Sequence, residues 1–86
     1  MNFFDIKKLI EDKKSSNFTG CLKFTYQGKN TVASCIESNS TEAIITKSTT
    51  YEHILKIAAE DGYSGTIILE FENGAVSGYA YTRKIN

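Results

Sequence analysis

The chain of 86 residues contains no proline and no tryptophan, and it has only one histidine and two cysteines. It also lacks an excess of either charge, because ten basic and ten acidic residues leave a formal net charge of zero. Binding to nucleic acid or to an anionic membrane surface depends largely on a basic excess, so this balance argues against a dedicated binder of either kind. Without proline, the breaks between elements fall to Gly, Asn, Ser and Thr.

Long apolar runs are missing as well. No segment approaches the ~18 apolar residues of a membrane-spanning helix, and the N-terminus runs into a charge-rich amphipathic stretch instead of a signal peptide. We therefore expect a soluble, cytoplasmic protein. The length fits one small domain, residues 1–86, and the frequent Ser, Thr, Asn and Lys suggest a bacterial origin.

Residues 49–84 predict a helix followed by a β-hairpin. Thr49 to Glu52 match a capping box, and Gly62 can end the helix in the left-handed conformation. Asn73-Gly74 favours a type I′ hairpin turn, because that turn needs positive φ at both positions. The apolar helix stripe is Tyr51, Ile54, Leu55 and Ala58, and the inward strand positions are Ile67, Leu69, Phe71, Val76, Gly78 and Ala80.

Residues 2–38 repeat this pattern. Asn2 can cap a first helix that ends at Ser15-Ser16-Asn17, and Gly28-Lys29-Asn30 predicts a three-residue turn between two strands. The expected inward residues are Phe3, Ile6, Leu9 and Ile10 on the helix and Leu22, Phe24, Tyr26, Val32, Ser34 and Ile36 on the strands. Leu22, Phe24 and Tyr26 match Ile67, Leu69 and Phe71, and Val32 and Ile36 match Val76 and Ala80.

These two αββ units predict an α+β fold with an internal repeat. We expect a mostly antiparallel sheet of four or five strands with both helices on one face. The connector 39–48 leaves two alternatives open, because residues 42–47 fit either a short edge strand or an extended link. Duplication is the interpretation that we favour, although any two αββ units share the same periodicity.

The sheet face without helices is the predicted contact surface. In a register set by a two-residue turn, Ile68 lies across from Tyr79, and Tyr81 follows on the same face. Such an apolar patch is typical of a protein interface. We expect a non-enzymatic interaction or regulatory module that associates with a second copy or another protein. The predicted partner-binding residues are Ile68, Tyr79, Tyr81, Arg83, Lys23 and Cys35.

The same residues suggest an alternative, which is weak binding of single-stranded nucleic acid. Tyr79 and Tyr81 would stack on bases, and Lys23, Arg83 and Lys84 would contact phosphates. Glu37, Glu70 and Glu72 on the same predicted face would repel a nucleic-acid backbone. We therefore rank this function below protein interaction.

No pattern in the sequence predicts catalysis, a metal site or a cofactor. His53 is expected in solvent, on a helix that covers the sheet face opposite to Cys21 and Cys35, so no Cys–His pair is expected. In the predicted hairpin the two cysteines are diagonal neighbours ~7–8 Å apart, which is too far for a disulfide and predicts two free thiols.

The stretch from Glu52 to Asn86 resembles the small bacterial family named after YezD. The similar segments are Ile54-Leu55-Lys56-Ile57, Gly62-Tyr63-Ser64-Gly65-Thr66-Ile67, Asn73-Gly74-Ala75-Val76 and Thr82-Arg83-Lys84-Ile85. The strand Ser77-Gly78-Tyr79-Ala80-Tyr81 departs from the more polar strand expected there. The resemblance implies a small cytoplasmic protein with a helix and a hairpin, and it implies no catalytic residues.

Overall fold

Within the residues that the structure describes, two helices pack on a five-stranded antiparallel sheet, which confirms the predicted α+β class. The computed structural model describes residues 3–27, 32–39, 44–58 and 63–83. The elements in chain order are α1 (Phe3–Ser15), β1 (Gly20–Gln27), β2 (Val32–Ser38), β3 (Thr46–Lys47), α2 (Glu52–Ala58), β4 (Ser64–Glu72) and β5 (Ala75–Tyr81). The strand order is β2-β1-β4-β5-β3. Of the two alternatives for 42–47, the edge strand is found, at Thr46 and Lys47, while residues 42 and 43 lie outside the described residues.

One apolar core joins the helices to the sheet. Ile6 and Ile10 of α1 lie on one helical stripe, as predicted, and both are buried. The α2 residues Tyr51, Ile54 and Leu55 are buried in the same cluster. The strands contribute Leu22, Phe24, Tyr26, Tyr63, Ile67, Leu69, Phe71 and Val76. The predicted inward face of β1 and β4 is therefore confirmed.

Asn17 ends α1 where the sequence predicts. Its φ of 55° is left-handed, the N–H of Phe18 donates to the Lys13 carbonyl at 3.1 Å, and the N–H of Asn17 donates to the Lys14 carbonyl at 3.4 Å. This pair of bonds is a Schellman motif, which satisfies carbonyls that the helix leaves open. The Phe18 carbonyl in turn accepts from the N–H of Gly74 at 2.9 Å. The end of α1 is thus tied to the turn of the second hairpin.

The start of α2 differs in detail from the predicted capping box. Glu52 does reach back, since its Oε2 accepts from the N–H of Tyr51 at 3.2 Å. The hydroxyl that bonds to the backbone here is that of Ser48, whose Oγ accepts from the N–H of Thr50 at 3.0 Å, just before the helix. The helix begins at Glu52, and the Tyr51 carbonyl accepts from the N–H of Ile54 at 3.0 Å and of Leu55 at 3.4 Å. The Gly62 stop and the turn at residues 28–30 lie outside the described residues.

The Asn73-Gly74 turn forms as predicted, but the predicted register of β5 is wrong beyond Val76. Both turn residues have positive φ, 50° and 82°, and Phe71 pairs with Val76. Glu70 then pairs with Gly78, so Ser77 is the extra residue of a β-bulge. Because strand side chains alternate between faces, one extra residue transfers everything after it to the other face.

A bulge in the first hairpin has the same effect. Thr25 pairs with Ser34 and Tyr26 pairs with Val32, which leaves Ala33 as the extra residue. Cys35 is therefore opposite Phe24 and Ile36 is opposite Lys23, one position away from the predicted register. The predicted inward positions Ser34 and Ile36 were wrong for this reason.

Candidate protein-interaction face

The sheet face turned away from α1 and α2, called the open face below, carries side chains in three rows across the strands. The middle row runs from Ile36 through Lys23 and Ile68 to Ala80, each residue being the cross-strand partner of the next. Ile36 is 53% exposed, Lys23 is exposed, and Ile68 and Ala80 are half-buried. The middle row thus consists of three apolar side chains and one lysine on the face of the sheet that the helices leave uncovered.

A row of hydroxyl groups lies on one side of the middle row. Thr25 pairs with Ser34 on β2 and with Thr66 on β4. Thr66 is tied to Thr82 by two bonds, because its N–H donates to the Thr82 hydroxyl at 3.1 Å and its carbonyl accepts from the N–H of Thr82 at 2.9 Å. These short side chains keep this part of the open face low, so the middle row is accessible from this side.

The other side of the middle row is charged. Lys47 forms an ion pair with Glu70, whose Oε1 also accepts from the Ser77 hydroxyl at 3.0 Å. The hydrogen bond from Lys47 lowers the pKa of Glu70, so this carboxylate is ionised at neutral pH and is already paired with Lys47. Glu72 is exposed nearby. The open face therefore presents both signs of charge.

Cys21 is the only thiol on the open face, and it is unsuited to nucleophilic chemistry. It lies between Ser38 and Glu70 in the cross-strand pairing, and its side chain is buried. Burial raises the pKa of this thiol, and the carboxylate of Glu70 acts in the same direction. A reactive cysteine needs the opposite shift toward the thiolate. The shallow surface pocket beside it is lined by Thr19, Gly20, Cys21, Asn39, Glu70, Phe71, Glu72 and Ser77.

The tyrosines predicted for the open face lie on the helix side. Tyr79 pairs with Leu69 and Tyr81 pairs with Ile67, both of which are core residues. Tyr79 packs edge-to-face on His53 of α2, with 5.5 Å between the ring centroids. The predicted neighbours of these tyrosines were therefore wrong, and Ile68 pairs with Ala80 instead. The bulge at Ser77 is the cause.

Arg83 and Cys35 also lie apart from Lys23 and Ile68. The guanidinium of Arg83 is 5.6 Å from the ring centroid of Tyr63, which belongs to the core. Cys35 packs partly against the core, and its pKa is raised by burial and by Glu37. Of the six predicted partner-binding residues, the structure brings only Lys23 and Ile68 together on the open face. Lys84 lies outside the described residues.

Both cysteines are free thiols, as predicted, although the geometry behind the prediction was wrong. Cys21 lies on the open face and Cys35 lies on the helix side, so they are not diagonal neighbours. His53 shares the helix side with Cys35, but it contacts β5 while Cys35 lies on β2. Three strand spacings, about 14 Å, separate those strands, which is too far for a Cys–His pair.

Ile36 and Ala80 are the residues of the middle row that the sequence did not predict. Strand β2 reads Val-Ala-Ser-Cys-Ile-Glu-Ser, in which either alternate set contains apolar residues. The bulge decides which of these two sets faces the helices, and no glycine or charged residue of β2 indicates that a bulge is present.

Comparisons with protein-family models, curated proteins and solved structures found no match to this chain. In the part of the chain that the structure describes, no helix is long and apolar enough to cross a membrane. The same residues contain no group of three or more His, Cys, Asp or Glu side chains placed to hold a metal ion.

Proposed function

We propose that this protein is a non-enzymatic interaction module that associates with a second copy of itself through the open face. The observation that supports this most is the middle row, in which Ile36, Ile68 and Ala80 lie on the same face of the sheet across four strands, with Lys23 as the one charged member of the row. An apolar row of this kind is stabilised when a second surface removes it from water.

The charges of the open face make it self-complementary. Lys23 and Glu72 are exposed on it, whereas Lys47 and Glu70 satisfy each other. Two copies facing each other about a two-fold axis can set the lysine of each against the glutamate of the other. A formal net charge of zero removes long-range repulsion between copies. A second copy is thus a better match than a strongly charged partner.

The size of the open face predicts weak association. Four strands at ~4.8 Å spacing and about seven residues at ~3.3 Å per residue span roughly 19 by 23 Å. That is about 450 Å² in projection, compared with ~800 Å² per partner in a standard stable interface. We therefore expect a reversible, concentration-dependent complex.

Nucleic-acid binding, the alternative from the sequence, is less well supported by this geometry. The stacking platform needs Tyr79 and Tyr81 together on an accessible face with basic residues. Tyr79 is instead half-buried against His53, and Lys23 lies on the opposite side of the sheet. A steep fall of affinity with salt would distinguish this alternative from apolar association.

We further propose that the two αββ units, residues 2–38 and 49–84, descend from one duplicated unit. The bulges at Ala33 and Ser77 support this proposal. Ala33 follows the residue that pairs with Tyr26, Ser77 follows the residue that pairs with Phe71, and Tyr26 and Phe71 are matched positions of the two units. Gly20 and Gly65 also match, with φ of 148° and 153°. The relation of the second unit to the YezD family, and a cytoplasmic location, remain predictions of the same kind.

Light scattering over a concentration series tests the association. Ile68→Lys places a charge in the middle row and is expected to lower the apparent mass, toward the chain mass of 9.6 kDa, relative to the wild type at the same concentration. Tyr81→Lys is the matched control, since Tyr81 is 44% exposed but lies on the helix side. It should leave the mass unchanged.

Two results would contradict the proposal. One is a wild type that stays at the chain mass at every concentration. The other is equal loss of association in Ile68→Lys and Tyr81→Lys, with both variants folded by circular dichroism.

A further inference from the structure

The two outer strands of the αββ hairpins differ in what lies beside them. The outer edge of β5 is covered by β3, which pairs antiparallel with it through Thr46 to Tyr79 and Lys47 to Gly78. The outer edge of β2 has no such neighbour within residues 3–27, 32–39, 44–58 and 63–83. An uncovered edge presents backbone N–H and C=O groups that can pair with another strand.

The positions that β3 occupies on β5 have counterparts on β2. Gly78 and Tyr79 lie just after the Ser77 bulge and pair with Glu70 and Leu69. Ser34 and Cys35 lie just after the Ala33 bulge and pair with Thr25 and Phe24. Because the two hairpins share register and bulge, the edge at Ser34 and Cys35 has the form that accepts an antiparallel strand on the other hairpin.

Strand β2 carries few of the features that protect sheet edges. Its seven residues include no proline and no lysine, and the bulge at Ala33 leaves the stretch after it regular. Its single charge is Glu37, whose Oε1 lies 2.9 Å from Lys13 Nζ. Natural edges are usually blocked by lysine, proline or inward charges. The stretch Ser34 to Glu37 is therefore competent to pair.

We propose that β2 pairs antiparallel with β2 of a second copy about a two-fold axis at Ile36. This register sets Ile36 beside the partner's Ile36, and it sets Cys35 opposite the partner's Glu37 instead of placing like charges together. It brings the two Ile36 side chains, each 53% exposed in the single chain, into contact across the axis and so removes part of their apolar surface from water. A second copy fits better than a charged peptide, because β2 offers no free charge for one.

This pairing goes beyond association through the open face and does not depend on it. It joins two sheets into one of ten strands, with the middle rows of both copies in line. The open face then doubles to about 900 Å² in projection, which exceeds the ~800 Å² per partner of a standard interface. Edge pairing would thus build the surface that the single chain is too small to offer.

Cross-linking of single thiols tests the proposal. The background is Cys35→Ala/Ile68→Lys, which removes the half-buried thiol and the open-face association but keeps the buried Cys21. Ile36→Cys is then compared with the control Lys23→Cys, one strand further in on the same face. A bis-maleimide shorter than about 14 Å spans two thiols at the axis but not two thiols three strand spacings apart.

We expect Ile36→Cys to give a product of twice the 9.6 kDa chain mass, in about tenfold higher yield than Lys23→Cys, because pairing holds the thiols at millimolar effective concentration. Equal yields at the two positions, or no product from Ile36→Cys, would overturn the proposal. Retained cross-linking in this Ile68→Lys background, with the open-face complex lost, would separate the two associations.

Amide hydrogen exchange of the unmodified protein gives an independent test. Peptides that cover Ser34 to Glu37 should exchange more slowly as protein concentration rises, while peptides from β5 should not change with edge pairing. Exchange in β2 that is independent of concentration, up to the highest attainable, would contradict the pairing without any substitution.

Discussion

Tyr26 and Tyr63 are neighbouring core residues with different hydrogen bonding. Their rings pack edge-to-face with 5.2 Å between centroids. The hydroxyl of Tyr63 donates to the Thr82 carbonyl at 2.6 Å. The hydroxyl of Tyr26 is buried and has no partner among the described residues. A buried polar group without a partner loses its bonds to water without compensation, so the two hydroxyls should contribute to stability with opposite sign.

Removing each hydroxyl gives a matched pair of variants. Tyr63→Phe should lower the free energy of unfolding by about 1 kcal/mol, because the Thr82 carbonyl loses its donor. Tyr26→Phe should leave it unchanged or raise it by up to about 1 kcal/mol. Urea denaturation at a concentration that keeps the chain monomeric measures both. A Tyr26→Phe loss as large as that of Tyr63→Phe would show that the Tyr26 hydroxyl is satisfied.

Alkaline pH provides a second test of Tyr26. Burial raises the pKa of Tyr26 from 10.0 to about 12, so the folded chain keeps the proton where the unfolded chain releases it. The contribution to stability is therefore full below pH 10 and is lost as pH rises through about 12. Between these values the wild type should lose stability more steeply than Tyr26→Phe. Parallel curves would mean that Tyr26 ionises freely in the fold.

At the scale of elements, the sequence predicted which strand residues face the helices as far as each bulge, but not beyond it. The Asn73-Gly74 turn, the end of α1 at Asn17 and the inward face of β1 follow from local chemistry, namely positive φ and alternation. The bulges do not, because Ala33 and Ser77 are ordinary strand residues whose extra position is set by pairing with the neighbouring strand. Ile36 and Tyr79 were consequently predicted on the wrong faces.

The end of α1 can be tested at Asn17. Asn17→Ala should lower the free energy of unfolding by about 1 kcal/mol, because a non-glycine residue other than Asn or Asp is strained at a φ of 55°. Asn17→Gly, which fits that conformation, is the control and should be neutral or stabilising by a few tenths of a kcal/mol. Thermal or urea unfolding measures the order. Equal stability of the two variants would contradict the left-handed cap.

The whole molecule is organised about the contact between β1 and β4. Lys23 pairs with Ile68, and on either side of them Gly20 pairs with Phe71 and Tyr26 pairs with Gly65. Gly20 is matched with Gly65, and Tyr26 is matched with Phe71. Replacing each residue by its match therefore converts the pair of Gly20 and Phe71 into the pair of Gly65 and Tyr26. The hairpins are therefore arranged about a local two-fold axis at the centre of the open face, where the proposed contact residues lie.

Dilution of an isotope-labelled sample, followed by NMR, tests association through the open face most directly. On dilution, the methyl signals of Ile68 and Ala80 and the amide of Lys23 should shift together along one binding curve, while the ring signals of Tyr63 and Tyr81 on the helix side stay fixed. This result would place the second copy on the open face. Shifts confined to the helix side, or no shift over the whole concentration range, would contradict the account.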